Sequence, residues 1–122
     1  MGVVAIDDSA PLWRDNDATA NAASGFLWED AATGRAEDNT ATNNDPHGFV
    51  ATGASTPVIT GNLAETNTRA GVAIFTTGAA EVSGNRLSGN AVGLYIDEAA
   101  GPIVLSGNEA SGNVEADVRD NR

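Results

Sequence analysis

This sequence predicts an all-β fold, a right-handed single-stranded parallel β-helix of about five coils, and three observations predict it. Asn16, Asn39, Asn62, Asn85 and Asn108 recur every 23 residues, and Asn21, Asn44, Asn67, Asn90 and Asn113 follow with the same period. Glycine marks a third column at Gly2, Gly25, Gly48 and Gly71, with Gly93 one residue early. Four apolar columns keep step with these markers. A fixed period of this length marks a solenoid, a propeller or an array whose repeats each form one structural unit.

The elements follow in order along each repeat. After the glycine comes a strand whose first position holds Val3, Phe26, Phe49, Val72, Leu94 and, after Asp117, Val118. Two residues on stand Ala5, Trp28, Ala51, Ile74 and Ile96. That spacing of two puts both columns on one face of a strand, pointing into a narrow coil. A variable turn leads to a second short strand carrying Trp13, Ala36, Ile59, Val82 and Leu105. A third, beyond the first Asn, carries Ala18, Ala41, Ala64, Leu87 and Ala110. Size alternates along the stack: Trp28 lies between Ala5 and Ala51, and Trp13 beside Ala36. Neighbouring coils therefore share volume, as close packing requires. The early Gly93 is compensated within Asp97–Gly101, as an indel confined to a loop would be. After Asn113 the glycine-equivalent site is Asp117, a substitution suited to a position needing positive φ.

Other solenoids repeat differently. Left-handed helices use hexapeptides and calcium-binding rolls use nonapeptides. Leucine-rich repeats have a suitable length, and Val82-x-x-Asn85-x-Leu87 imitates part of their motif. Five residues before the Asn, however, stand Pro11, Gly34, Pro57, Ala80 and Ile103 rather than leucines. The ten Asn are expected at tight turns, where Asn accepts left-handed geometry and bonds nearby backbone. Stacked on itself, Asn also forms an amide ladder between coils. The columns are read as structural.

The segments GVAIFTTGAAEVSGNRLSGN and GLYIDEAAGPIVLSGNEASGN resemble coils of right-handed β-helix repeat proteins. That superfamily includes NosD-like and carbohydrate-binding/sugar-hydrolase domains and pectate-lyase-like (pectin-lyase-like) enzymes. The resemblance covers the whole chain and implies a fold rather than an activity. Residues 1–122 are read as one domain, expected to be a fragment of a longer solenoid. Repeat arrays need capping units and bare edge strands invite pairing, so flanking sequence or stacked copies are expected.

Seventeen acidic residues face six basic ones, all arginine, for a net charge of −11. Such a surface repels nucleic-acid phosphates and anionic membranes. Acidity without lysine resembles halophilic proteins, whose carboxylates keep the surface hydrated. Cysteine is absent, which excludes disulfides and thiolate chemistry. The first residues lack a basic segment before their short apolar run, so they read neither as a signal peptide nor as a membrane span.

Chemistry has few places to reside. Asp7 and Asp30 share a phase of the repeat and should stack about 4.8 Å apart. With Asp8 and Glu29 they offer oxygen ligands of the kind that bind Ca²⁺, as the resemblance to β-helix lyases also implies. The same carboxylates could serve a hydrolase, one with a raised pKa. Thr52-Gly53 and Phe75-Thr76 interrupt that column on the next coils, and a solvated acidic surface explains it equally well. A lyase would need a basic residue, for which Arg35 or Arg14 would have to serve. His47 stands alone beside Pro46 and reads as an ordinary turn residue. No catalytic Ser-His-Asp set or zinc spacing can be assembled.

Between the inward positions of the first strand stand Val4, Leu27, Val50, Ala73 and Tyr95, an outward apolar stripe read as an interaction surface. The expected function is a non-catalytic β-helix module, extracellular or on the cell surface, acting as a stalk or a carbohydrate- or protein-binding face. The alternative is a fragment of a Ca²⁺-dependent polysaccharide lyase or glycoside hydrolase. Polysaccharide, flanking parent domains, or further copies stacked end to end or face to face are the expected partners.

Overall fold

A computed structural model describes residues 2–122; Met1, where the N-terminal reading began, lies outside the described residues. Every strand pairing is parallel, and the chain winds as a β-solenoid with one strand per coil in each of three sheets. The first sheet stacks Val3–Ala5, Phe26–Trp28, Phe49–Ala51, Ala70–Ile74, Val92–Ile96 and Ala116–Asp120. The second stacks Leu12–Arg14, Arg35–Glu37, Val58–Thr60, Ala80–Ser83 and Ile103–Ser106. The third stacks Asp17–Thr19, Thr40–Thr42, Leu63–Glu65, Arg86–Ser88 and Glu109–Ser111.

The register pairs the apolar columns as the repeat predicts: Val3 with Phe26, Phe26 with Phe49, and Phe49 with Val72. The early glycine also behaves as a loop indel. Val72 pairs with Leu94, but by the second sheet Val82 pairs with Leu105, back at the full period. These columns fill one continuous core in which Phe26, Trp28, Phe49, Ile59, Ile74 and Leu87 are fully buried. Phe26 stacks on Phe49 with ring centroids 4.7 Å apart and planes within 6°, the parallel stacking that in-register coils impose. Trp13 sits 4.9 Å from Trp28, while Ala5, Ala36 and Ala51 take the small positions opposite the indoles. Each large side chain so buried contributes roughly 1.5–3 kcal/mol.

The asparagines build the predicted ladder, by a different backbone from the one expected. None of the ten has positive φ. The left-handed residue is the one before each Asn: Asp15, Asp38, Gly61, Gly84 and Gly107 in one column, Ala20, Asn43, Thr66, Gly89 and Gly112 in the other. That residue turns the chain, and the Asn after it directs its amide into the coil. Asn39, Asn44, Asn62, Asn67, Asn85 and Asn90 are at most 2% exposed. Their amides must then be bonded internally, because an unpaired buried donor or acceptor costs about 1–3 kcal/mol.

The glycine column is likewise corrected. Gly2, Gly25, Gly48, Gly71 and Gly93 have no positive φ; they are required by close approach. A Cβ on Gly48 would lie 2.7 Å from the Gly71 carbonyl and 3.0 Å from Asn67 Nδ2. Asp117 therefore does not answer a need for left-handed backbone. Its carboxylate accepts from Asn113 N–H at 3.2 Å and from Asn113 Nδ2 at 2.9 Å, taking the place of a further Asn in the ladder.

Candidate functional site

The acidic turns are placed by backbone geometry. Asp7 and Asp30 both have φ 56°, and the next coil fills this position with Gly53 at φ 65°. The column is thus a left-handed turn in which Asp stands where glycine also serves. Asp30 accepts a hydrogen bond from the Asp7 N–H through Oδ2 at 3.2 Å. Asp7, Asp8 and Asp30 are exposed and Glu29 is half-buried. Among the described residues no three histidine or acidic side chains converge as metal donors. Arg14 and Arg35 lie elsewhere, on the second sheet, where Glu37 accepts from Arg14 Nη2 at 2.8 Å and from Arg35 Nε at 2.7 Å. Those two guanidiniums hold the Glu37 carboxyl below the usual range.

The outward stripe of the first sheet has its own structure. Val4 is 44% exposed, but Leu27, Val50 and Ala73 are buried and Tyr95 is half-buried. Leu27, Val50, Ala70 and Ala73 form a second apolar cluster outside the coil, against which Phe75 and Tyr95 pack. Phe75 reaches this face by alternation: Ile74 points inward, so the next residue points out. Phe75 and Tyr95 lie 5.4 Å apart, and the His47 ring lies 6.0 Å from Phe75 on its other side.

Beside these rings is a cleft of about 260 Å³, walled by His47, Arg69, Phe75, Tyr95, Glu115 and Arg119, with Ala70 and Ala91 among the small residues lining it. The repeat positions each wall. His47 and Arg69 occupy the bends that lead into Phe49–Ala51 and Ala70–Ile74. Arg119 stands one rung beyond Tyr95 in register, and its Nη1 lies 3.6 Å from Glu115 Oε1. The Tyr95 hydroxyl donates to Asp97 Oδ1 at 3.3 Å, which fixes that ring.

His47 is held in one protonation state. Its Nδ1 accepts from the Ala70 N–H at 3.2 Å, which leaves Nε2 to carry the proton. Burial, helped by the Arg69 charge and opposed by Asp45, pushes its pKa down to about 4. Near neutral pH the ring is therefore an uncharged hydrogen-bond donor. The sequence puts Tyr95 on an outward stripe and reads His47 as a turn residue, and it does not single out Phe75, Arg69 or Arg119 for this face. Alternation could have found Phe75. The others meet only when the bends of successive coils stack.

The chain belongs to the right-handed β-helix family: the family described as right handed beta helix region matches residues 1–118. No curated protein and no solved structure matches it significantly.

Proposed function

We propose that this right-handed β-helix chain is a non-catalytic binding module, displayed on or outside the cell, whose ligand is a saccharide held in the cleft on the outer face of the first sheet. One observation carries this reading: two outward aromatic rings, Phe75 and Tyr95, stand side by side next to a guanidinium. The C–H face of a sugar ring packs on an aromatic face, and guanidinium and imidazole N–H groups suit its hydroxyls. Such a mix of rings with a few placed polar groups is the usual lining of a small-ligand site. Binding without turnover is favoured because the cleft groups that could serve as a base are engaged: Ala70 N–H occupies His47 Nδ1, and Glu115 faces Arg119.

The test is calorimetric titration of the folded chain with oligosaccharides chosen from a glycan array, alongside Phe75→Ala and Tyr95→Ala. Saturable binding, weakened in both variants while circular dichroism stays that of a β-solenoid, is the expected result. Binding that neither variant changes would move the ligand site elsewhere. Products released from a bound oligosaccharide would show an enzyme instead.

A further inference from the structure

We propose that Arg69 makes this cleft selective for saccharides that carry an anionic group, a carboxylate or a sulfate ester; the proposal rests on the reading of the cleft as a saccharide site. The chain carries net charge −11 and only six basic residues, so a cation without a carboxylate beside it is exceptional. Five arginines have one. Glu37 holds Arg14 and Arg35, Glu109 lies beside Arg86, Glu115 beside Arg119, and Asp120 beside Arg122. Among the described residues Arg69 alone has no carboxylate at ion-pair distance, and it is exposed in the cleft wall.

Two further features give that free charge a direction. The neutral His47 ring has Nδ1 already taken, so only its N–H remains to meet an acceptor. Phe75 lies within 6.0 Å of that ring and Tyr95 follows at 5.4 Å, an apolar bed for the body of a ligand. A sugar lying on the rings with its acid group toward Arg69 would satisfy all three. Guanidinium binds a planar carboxylate or a sulfate through paired N–H donors. The acidic residues do not cancel this: Glu115 in the cleft wall is offset by Arg119 at 3.6 Å, and exposed charges beyond about 10 Å are largely screened at 0.1 M salt.

The experiment compares three oligosaccharides of equal length, one neutral, one uronate-containing and one sulfated, against wild type, Arg69→Gln and Tyr95→Ala. Wild type should bind an acidic member roughly tenfold more tightly than the neutral one, a preference that fades with added salt. Arg69→Gln should erase the preference, weakening the acidic members roughly tenfold and the neutral one far less, while Tyr95→Ala weakens all three. The preferred member of the acidic pair tells carboxylate from sulfate. Equal affinity for neutral and acidic sugars would overturn the selectivity and leave the saccharide site standing. Failure of wild type to bind any of the three, or capture of an acidic peptide or a second copy in their place, would overturn both.

Discussion

Asn62 donates its backbone N–H and its side-chain Nδ2 to the same atom, Oδ1 of Asn85 on the next coil, at 2.9 and 3.0 Å. The same Nδ2 also donates to the Ala36 carbonyl at 2.9 Å, one coil back. In turn Asn62 Oδ1 accepts from Asn39 N–H and Asn39 Nδ2. One amide thus ties three coils, and each rung completes the one before it.

The cost of breaking the ladder should depend on the rung. Asn62→Ala leaves the buried Asn39 N–H without its acceptor and the Ala36 carbonyl without its donor, and takes one of the two acceptors from Asn39 Nδ2; it is expected to cost about 3 kcal/mol or more. Asn16→Ala removes an exposed end amide and should cost under about 1 kcal/mol. Urea denaturation of the two variants checks the contrast; equal losses would show that the ladder is not the cause.

Glycine substitutions should separate close approach from backbone strain. Gly48→Ala puts a methyl 2.7 Å from the Gly71 carbonyl, backbone that cannot move aside, and should cost at least about 2 kcal/mol. Gly112 has φ 66° and nothing within 4 Å, so Gly112→Ala should cost only the left-handed penalty of about 1–2 kcal/mol. Gly112→Asn should recover part of that. Thermal melts rank the three; a harmless Gly48→Ala would mean the coils can spread.

Asp117 should be replaceable by the residue whose place it takes. Asp117→Asn keeps an acceptor oxygen for Asn113 and is expected to be close to neutral. Asp117→Ala leaves Asn113 to water and should cost about 1 kcal/mol. Hydrogen exchange at the Asn113 amide is the direct readout, faster in the alanine variant and unchanged in the asparagine one.

His47 should make stability depend on pH in a definable window. Folded, it titrates near about 4; unfolded, near 6.5. Between those values the unfolded chain binds the proton and the folded chain does not, so stability falls as pH drops from 6.5 towards about 4. Above the window the contribution is fully present. His47→Gln should flatten that part of the melting-temperature profile relative to wild type. Parallel profiles for the two proteins would disprove the assignment.

Calcium offers a check on the acidic turns of the first two coils. With Asp30 Oδ2 accepting from the Asp7 amide, millimolar Ca²⁺ is expected to leave the melting temperature unchanged. A rise that Asp30→Asn abolishes would make the turn a metal site after all.

The sequence by itself determined the coil. A period that never slips in the Asn columns sets strand register, and register sets which apolar side chains meet, because stacking turns sequence phase directly into contact. Trp28 between Ala5 and Ala51, and the amide ladder itself, could be read from spacing alone. Spacing does not carry φ, so it points to Asn rather than to the residue before it as left-handed, and to backbone freedom rather than close approach for the glycine column. The candidate site was less legible still. His47, Arg69, Phe75, Tyr95 and Arg119 lie at different phases of different coils, and no column of the repeat contains them all. The winding of the chain brings them together, side-chain length decides what reaches across the cleft, and ion pairing elsewhere leaves Arg69 free. These are properties of three-dimensional neighbours, which only the folded coil supplies.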